Sequence, residues 1–195
     1  MSSLLAANRP FFVPYAVFLL SGAVWQVFWS PTAIFLAING ANSPFADAFF
    51  TYFTHIGDGA FFAVTVIFLL FVRFRHTLVG AASFALSSGV AQGLKRLVFP
   101  DVLRPRAVFE GSSVVPHWVS DVELHSHHSF PSGHATTAFA VFCLLALVLE
   151  DKRWGVLYFV LALLAAYSRV YLGQHFFADI YFGSLIGVAS SLLAY

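Results

Sequence analysis

Six apolar runs joined by short polar connections leave this chain few ways to fold in water. They extend over about Phe11 to Trp29, Ala60 to Val72, Leu78 to Val98, Ala135 to Leu149, Trp154 to Tyr167 and Phe177 to Ala194. A helix needs about 20 residues to cross a bilayer core, with about 17 as a practical minimum. Three runs fall short, but neutral flanks such as Gly57 to Gly59 and Ser132 to His134 lengthen them. Charged residues are 10% of the chain and hydrophobic residues 59%, whereas a soluble domain carries about a quarter charged residues. The polar side chains are too few to cover a water-facing surface. The expectation is an all-α integral membrane bundle of six transmembrane helices, with residues 1–195 forming one domain.

Other classes drop out quickly. The ten basic residues form no long run, so no nucleic-acid partner is expected. The single Cys143, set in an apolar run, excludes an internal disulfide or a multi-cysteine metal site. Phe11 to Leu20 behind Arg9 has the outline of a secretory leader. The run continues through Trp25 and Trp29 without a small-x-small cleavage site, so it reads as a retained first span. Pro31 breaks that helix, and Thr32 to Ile38 is expected at the interface or lining the bundle. One connection is long, about residues 99–131, a length that goes with function or disorder. Its Val114, Val115 and Trp118 suit a membrane interface.

Three polar segments converge if the spans alternate in direction. Lys95-Arg96 is followed by Arg104-Pro105, Pro131-Ser132-Gly133-His134 precedes the fourth span, and Ser168 to Asp179 joins the fifth span to the sixth. Charge at membrane depth is costly and usually functional. Arg169, Arg104 and a lysine offer donors that match phosphate oxygens. Pro131 suits a helix start, where free N–H groups bind anions, and Ser132 and Gly133 present a hydroxyl and a close backbone there. His175 and Asp179, four apart, share a face if both are helical. The carboxylate then holds one ring nitrogen while the other attacks phosphorus. His134 is left to protonate the departing alkoxide. The cations neutralise the developing charge, so no metal or other cofactor is expected.

These segments resemble those of the type 2 phosphatidic acid phosphatase family, which shares its site with vanadium haloperoxidases. Pro-Ser-Gly-His and Ser-Arg, five residues, His, three residues and Asp match without a gap. The resemblance implies a lipid phosphatase with His175 as nucleophile, Asp179 as its partner and His134 as acid. It also implies a phosphate cradle of Lys95, Arg104, Ser132, Gly133 and Arg169. One element departs: eight residues separate Lys95 from Arg104, two more than the family's usual spacing. A turn at Pro100-Asp101 is expected to absorb them, with Arg96 the alternative ligand to Lys95. Among family substrates, undecaprenyl pyrophosphate ranks first by resemblance. Phosphatidylglycerol phosphate, phosphatidic acid and lipid A phosphates are the alternatives. A bacterial inner membrane is the expected location, and the bilayer and its lipid phosphate the expected partners.

Orientation follows from basic residues outside the site. Setting aside the loops that carry Lys95, Arg96, Arg104, Arg106 and Arg169, most of which belong to the site, Arg9, Arg73, Arg75, Lys152 and Arg153 lie on one side and none on the other, a bias of five to none. Both termini are therefore expected in the cytoplasm and the site outside. His125, His127 and His128 have neither cysteine nor a fixed helical spacing to mark a zinc site. They read as a solvated loop or as headgroup contacts. Thr54 to Gly59 reads as a turn with Asp58 as a helix cap, or as part of the pocket. A lipid phosphate transporter would also need the cations, but has no use for a His–Asp pair opposite a second histidine. The haloperoxidase reading is opposed by the spans, since those relatives are soluble.

Overall fold

A computed structural model describes residues 2–120 and 122–195. Among them the regular structure is helical: α1 Ser2–Ala7, α2 Arg9–Phe28, α3 Pro31–Asn39, α4 Pro44–Phe53, α5 Gly59–Leu70, α6 Phe74–Gly93, α7 Pro105–Phe109, α8 Gly133–Val148, α9 Gly155–Tyr171 and α10 Phe177–Ala194. Four segments are long and apolar enough to span a membrane: Arg9–Phe28, Phe74–Val98, Lys152–Tyr171 and Phe177–Ala194. A fifth arises if Pro44–Gly57 and Gly59–Leu70, bent by 53°, count as one. Against the six expected spans, α5, with 12 residues, counts only as part of that bent pair, and α8 falls short with 16 residues.

That helix is nonetheless the centre of the molecule. It packs against α5, α6, α9 and α10, and its side chains from Ala135 to Leu144 are buried on every face. A helix apolar all round belongs inside a bundle. The outer helices reverse the usual soluble pattern: Leu20, Phe71 and Leu193 are 71%, 82% and 80% exposed. A patch of that kind is costly in water and neutral against lipid tails.

The closest helix contact joins α8 to α10. Gly183, Gly187 and Ser191 recur every four residues and so form one stripe of α10. A Cβ on Gly183 would lie 2.8 Å from the Ser132 carbonyl oxygen. One on Gly187 would overlap the Thr136 oxygen and lie 2.8 Å from the Ala140 nitrogen. The Ser191 hydroxyl donates to the Ala140 carbonyl at 2.7 Å. Small residues let the two backbones touch, as is common where no hydrophobic force separates helix from lipid.

The described residues of the long segment 99–131 fold back over one end of the bundle, with α7 the one helix among them. Asn39, 1% exposed, pins it by donating to the carbonyls of His117 (2.8 Å) and Tyr171 (2.9 Å) and accepting from the His117 N–H. Trp118 packs near Phe35 instead of facing the interface, while Val114 and Val115 remain exposed. The segment Thr32 to Ile38 lies within α3, where Ile34, Phe35 and Ile38 are buried.

Gly187→Ala should destabilise the fold by about 1–3 kcal/mol through overpacking. Exposed Gly89, whose Cβ would meet nothing within 4 Å, should tolerate alanine. Thermal midpoints in detergent compare the two; equal midpoints would contradict the close α8–α10 contact.

Candidate active site

The start of α8 and the start of α10 are tied together before either contributes a side chain. The Ser132 N–H donates to the Asp179 carbonyl at 3.0 Å. The Ser132 side chain, fully buried, caps α8 by accepting from the Ala135 N–H at 3.4 Å, and its carbonyl accepts from the Thr136 N–H and hydroxyl. Beside it, a Cβ on Gly133 would meet nothing within 4 Å, so open space adjoins a helix N-terminus, where unpaired N–H groups favour an anion.

The second segment turns sharply after α9. The N–H groups of Gln174 and His175 both donate to the Arg169 carbonyl, at 2.9 and 3.1 Å. Gly173 takes φ +72°, and any Cβ there would also strike the Trp118 ring; glycine alone accepts both conditions. His175 thus precedes α10, which begins at Phe177, and does not share a helical face with Asp179 as the four-residue spacing suggested. The pairing survives by another route. One Asp179 carboxylate oxygen, Oδ2, meets the Phe176 N–H at 3.0 Å, His175 Nδ1 at 3.1 Å and the Ser129 hydroxyl at 2.5 Å. His175 enters this network through Nδ1, with Nε2 as the ring nitrogen outside it.

Cations surround that ring. Arg169 is 9% exposed, donates from Nη1 to the Thr54 hydroxyl at 2.8 Å, and keeps a buried Nε with no partner. Arg104 is 8% exposed and is largely committed to oxygens of this chain: His127 O at 2.9 Å, Gln174 O at 3.2 Å, Gln174 Oε1 at 3.0 Å and His128 O at 3.5 Å. Lys95 is half-buried on a π-helical turn, Leu94–Val98, within electrostatic reach of Arg104, Asp179 and Arg169. Such turns re-aim side chains at functional sites. A turn at Pro100-Asp101 follows the π-helical one before Arg104. Arg96, exposed, lies on the rim. All eight residues expected from the sequence gather at this end of the bundle.

Burial, and then the charges of Arg104, Arg169 and Lys95, hold the His175 imidazole well below its ordinary pKa, so it is neutral at neutral pH.

Sequence reasoning missed Ser129 and Gln174, which hold Asp179 and Arg104 in place, and placed Thr54, which holds Arg169, only within a segment that could join the pocket. They are small or neutral loop residues with no spacing to mark them. Asp58 was read mainly as a cap, but it makes no cap bond. Its Oδ1 meets His134 Nε2 at 2.5 Å and its Oδ2 meets His55 Nδ1 at 2.8 Å. A cavity of about 750 Å³ opens beside the cations, lined by Lys95, Arg96, Arg104, His125, His127 and His128. Among the described residues, no three His, Cys, Asp or Glu side chains converge as a metal-ligand set.

A cationic pocket over paired histidines and carboxylates, at the end of an apolar helical bundle, defines a membrane phosphatase. The chain belongs to the PAP2 superfamily, whose model matches residues 77–195; it is an integral membrane protein and a lipid phosphatase. It is 28% identical over 169 residues to the lipid A 4'-phosphatase of Bacteroides thetaiotaomicron, covering 84% of this chain and 75% of that protein. The putative undecaprenyl-diphosphatase YbjG of Escherichia coli is 42% identical over 73 residues, covering 35% and 36%. The crystal structure of Aquifex aeolicus LpxE superposes with a TM-score of 0.71 at 26% identity, covering 84% of this chain and 93% of that one.

The depressed His175 pKa has a sign. Below about pH 6.5 the unfolded chain takes up a proton on this residue that the folded protein refuses, so stability falls as pH falls, by up to about 1.4 kcal/mol per unit. His175→Gln should flatten the decline of thermal midpoint between pH 7.5 and pH 5, since it removes that proton; an unchanged slope would contradict the neutral buried imidazole.

Proposed function

We propose that this chain hydrolyses a lipid phosphate at the outer membrane face, without a metal, through a phosphohistidine on His175. The observation that carries this is the buried imidazole of His175, held at Nδ1 by Asp179, at the same end of the bundle as an Arg169 Nε that lacks a partner among the described residues. The phosphate oxygens bind Arg169, Arg104, Lys95 and the N–H groups at the start of α8. Nε2 of His175 attacks phosphorus, and His134 gives its proton to the leaving alkoxide. Neutral His134 then takes a proton from water as its oxygen attacks the phosphohistidine, which releases inorganic phosphate and restores both rings. The lipid tails stay in the bilayer throughout.

The bundle is read with six crossings: α2, the bent α4–α5 pair, α6, α8, α9 and α10. Short α8 can cross because its neighbours, and not lipid, surround it. The five-to-none distribution of basic residues supports cytoplasmic termini and an outward site.

Substrate choice rests on the cavity and on the relatives. Arg96 and the three imidazoles, beyond the phosphate cradle, suit a headgroup carrying a second anionic group. The likeness to lipid A 4'-phosphatase runs over most of the chain, whereas that to undecaprenyl-diphosphatase is confined to about a third. We therefore place a phosphorylated glycolipid of the lipid A class first and undecaprenyl diphosphate second.

His175→Ala should abolish phosphate release with the fold retained, and acid-quenched wild type should lose labelled phosphate that base-quenched wild type keeps on the protein. Release undiminished in the variant would sink the mechanism. Binding of lipid phosphate with no release and no phosphoprotein would favour a transporter instead. In a panel of lipid A, undecaprenyl diphosphate, phosphatidylglycerol phosphate and phosphatidic acid, the first two should give the highest kcat/KM. Arg96→Ala should raise their KM about tenfold, a loss of about 1.4 kcal/mol, and leave phosphatidic acid nearly unchanged. An equal effect on all four would remove the headgroup role.

A further inference from the structure

The phosphatase reading gives His134 the proton for the leaving group, and nothing in the family's motifs says what holds that ring. The segment 54–59, which lies outside the matched residues 77–195, supplies a candidate. Its 3-10 turn Thr54–Gly57 packs against the start of α8. A Cβ on Gly57 would sit 3.1 Å from the His134 carbonyl oxygen and 3.4 Å from its Cβ, so this turn and that histidine are in direct backbone register. From the same turn, Asp58 Oδ1 reaches His134 Nε2 at 2.5 Å.

We infer that Asp58 is a positioning residue for His134: it holds Nε2–H, fixes the ring plane, and leaves Nδ1 as the atom that delivers the proton. The inference rests on the phosphatase reading above. The chemistry requires such a group. As Nδ1–H gives its proton to the leaving oxygen, the ring passes from imidazolium to neutral, and in the second step the same nitrogen takes a proton from water. A carboxylate on the opposite nitrogen stabilises the imidazolium without itself accepting the proton, and it keeps the ring from rotating between the two steps.

The competing role for Asp58 is purely local, as the residue preceding α5. Its geometry opposes that role, because neither oxygen caps the helix and both face imidazoles, His134 on one side and His55 on the other. The arrangement mirrors the other half of the site. Asp179 takes Nδ1 of His175 and leaves Nε2, whereas Asp58 takes Nε2 of His134 and leaves Nδ1. Thr54 of the same turn accepts from Arg169, so one short segment steadies both the acid and the principal phosphate ligand.

A double-mutant cycle decides the matter, using the lipid phosphate that the wild type hydrolyses fastest. Asp58→Asn keeps the shape but gives up the charge. It should lower kcat about 10- to 1000-fold with KM changed less than about threefold, as loss of a proton-transfer contribution does. In a His134→Ala background the same substitution should change kcat less than about threefold, because its target is gone. Asp58→Glu should recover part of the rate, and thermal midpoints in detergent should show each variant folded. Equal losses in both backgrounds, or no loss in the wild-type background, would overturn the inference while leaving the phosphatase intact. A wild type that releases no phosphate from any lipid would instead overturn the phosphatase reading.

Discussion

The bond from the Ser132 N–H to the Asp179 carbonyl joins the two halves of the site, and it exists because α8 and α10 touch along their backbones. Gly183 and Gly187 remove the side chains that would hold the helices apart, and Ser191 closes the contact one turn further on. Asp179 begins the same four-residue stripe. Whatever shifts the helices therefore shifts the phosphate-facing end of α8 against the carboxylate that holds His175. Catalytic geometry tolerates little movement, which gives the buried glycine stripe a consequence well beyond packing.

Electrostatics imposes the next constraint. Arg104, Arg169, Lys95 and two histidines crowd one end of an apolar bundle, where isolated charge is costly. Oxygens of His127, His128 and Gln174 take most of the Arg104 donors. Arg169 is treated differently: Thr54 takes one nitrogen, and Nε stays buried without a partner. A desolvated donor of this kind lowers stability until an anion completes it. The same crowding keeps His175 neutral, and a neutral imidazole retains the lone pair that a nucleophile needs.

The parts of this picture that the sequence made legible are those written in local spacing. The apolar runs foretold the helices because burial in lipid demands continuous hydrophobicity, and Pro-Ser-Gly-His foretold the start of α8 through its capping serine, although Pro131 stands before that cap and not in the first turn. The His175–Asp179 pair was foretold for an incorrect reason: the residues meet through a turn and a helix start, a geometry that Gly173 alone hints at. The number of crossings was less legible, since α8 is buried by its neighbours and needs no full membrane length. Ser129 and Gln174 left no trace, because they reach the site through long-range contacts that neither periodicity nor spacing encodes.

Asp58 lies between these cases. An aspartate preceding a helix usually signals a cap, and the alternative was invisible until the 53° bend between α4 and α5 brought its turn against α8. The bend gives that short pair of helices a purpose that a straight span would lack. Broken at this point, the chain delivers Thr54 to Arg169 and Asp58 to His134 from a single turn, and so would couple the proposed phosphate cradle to the proposed acid through backbone geometry outside the segments where the motifs lie.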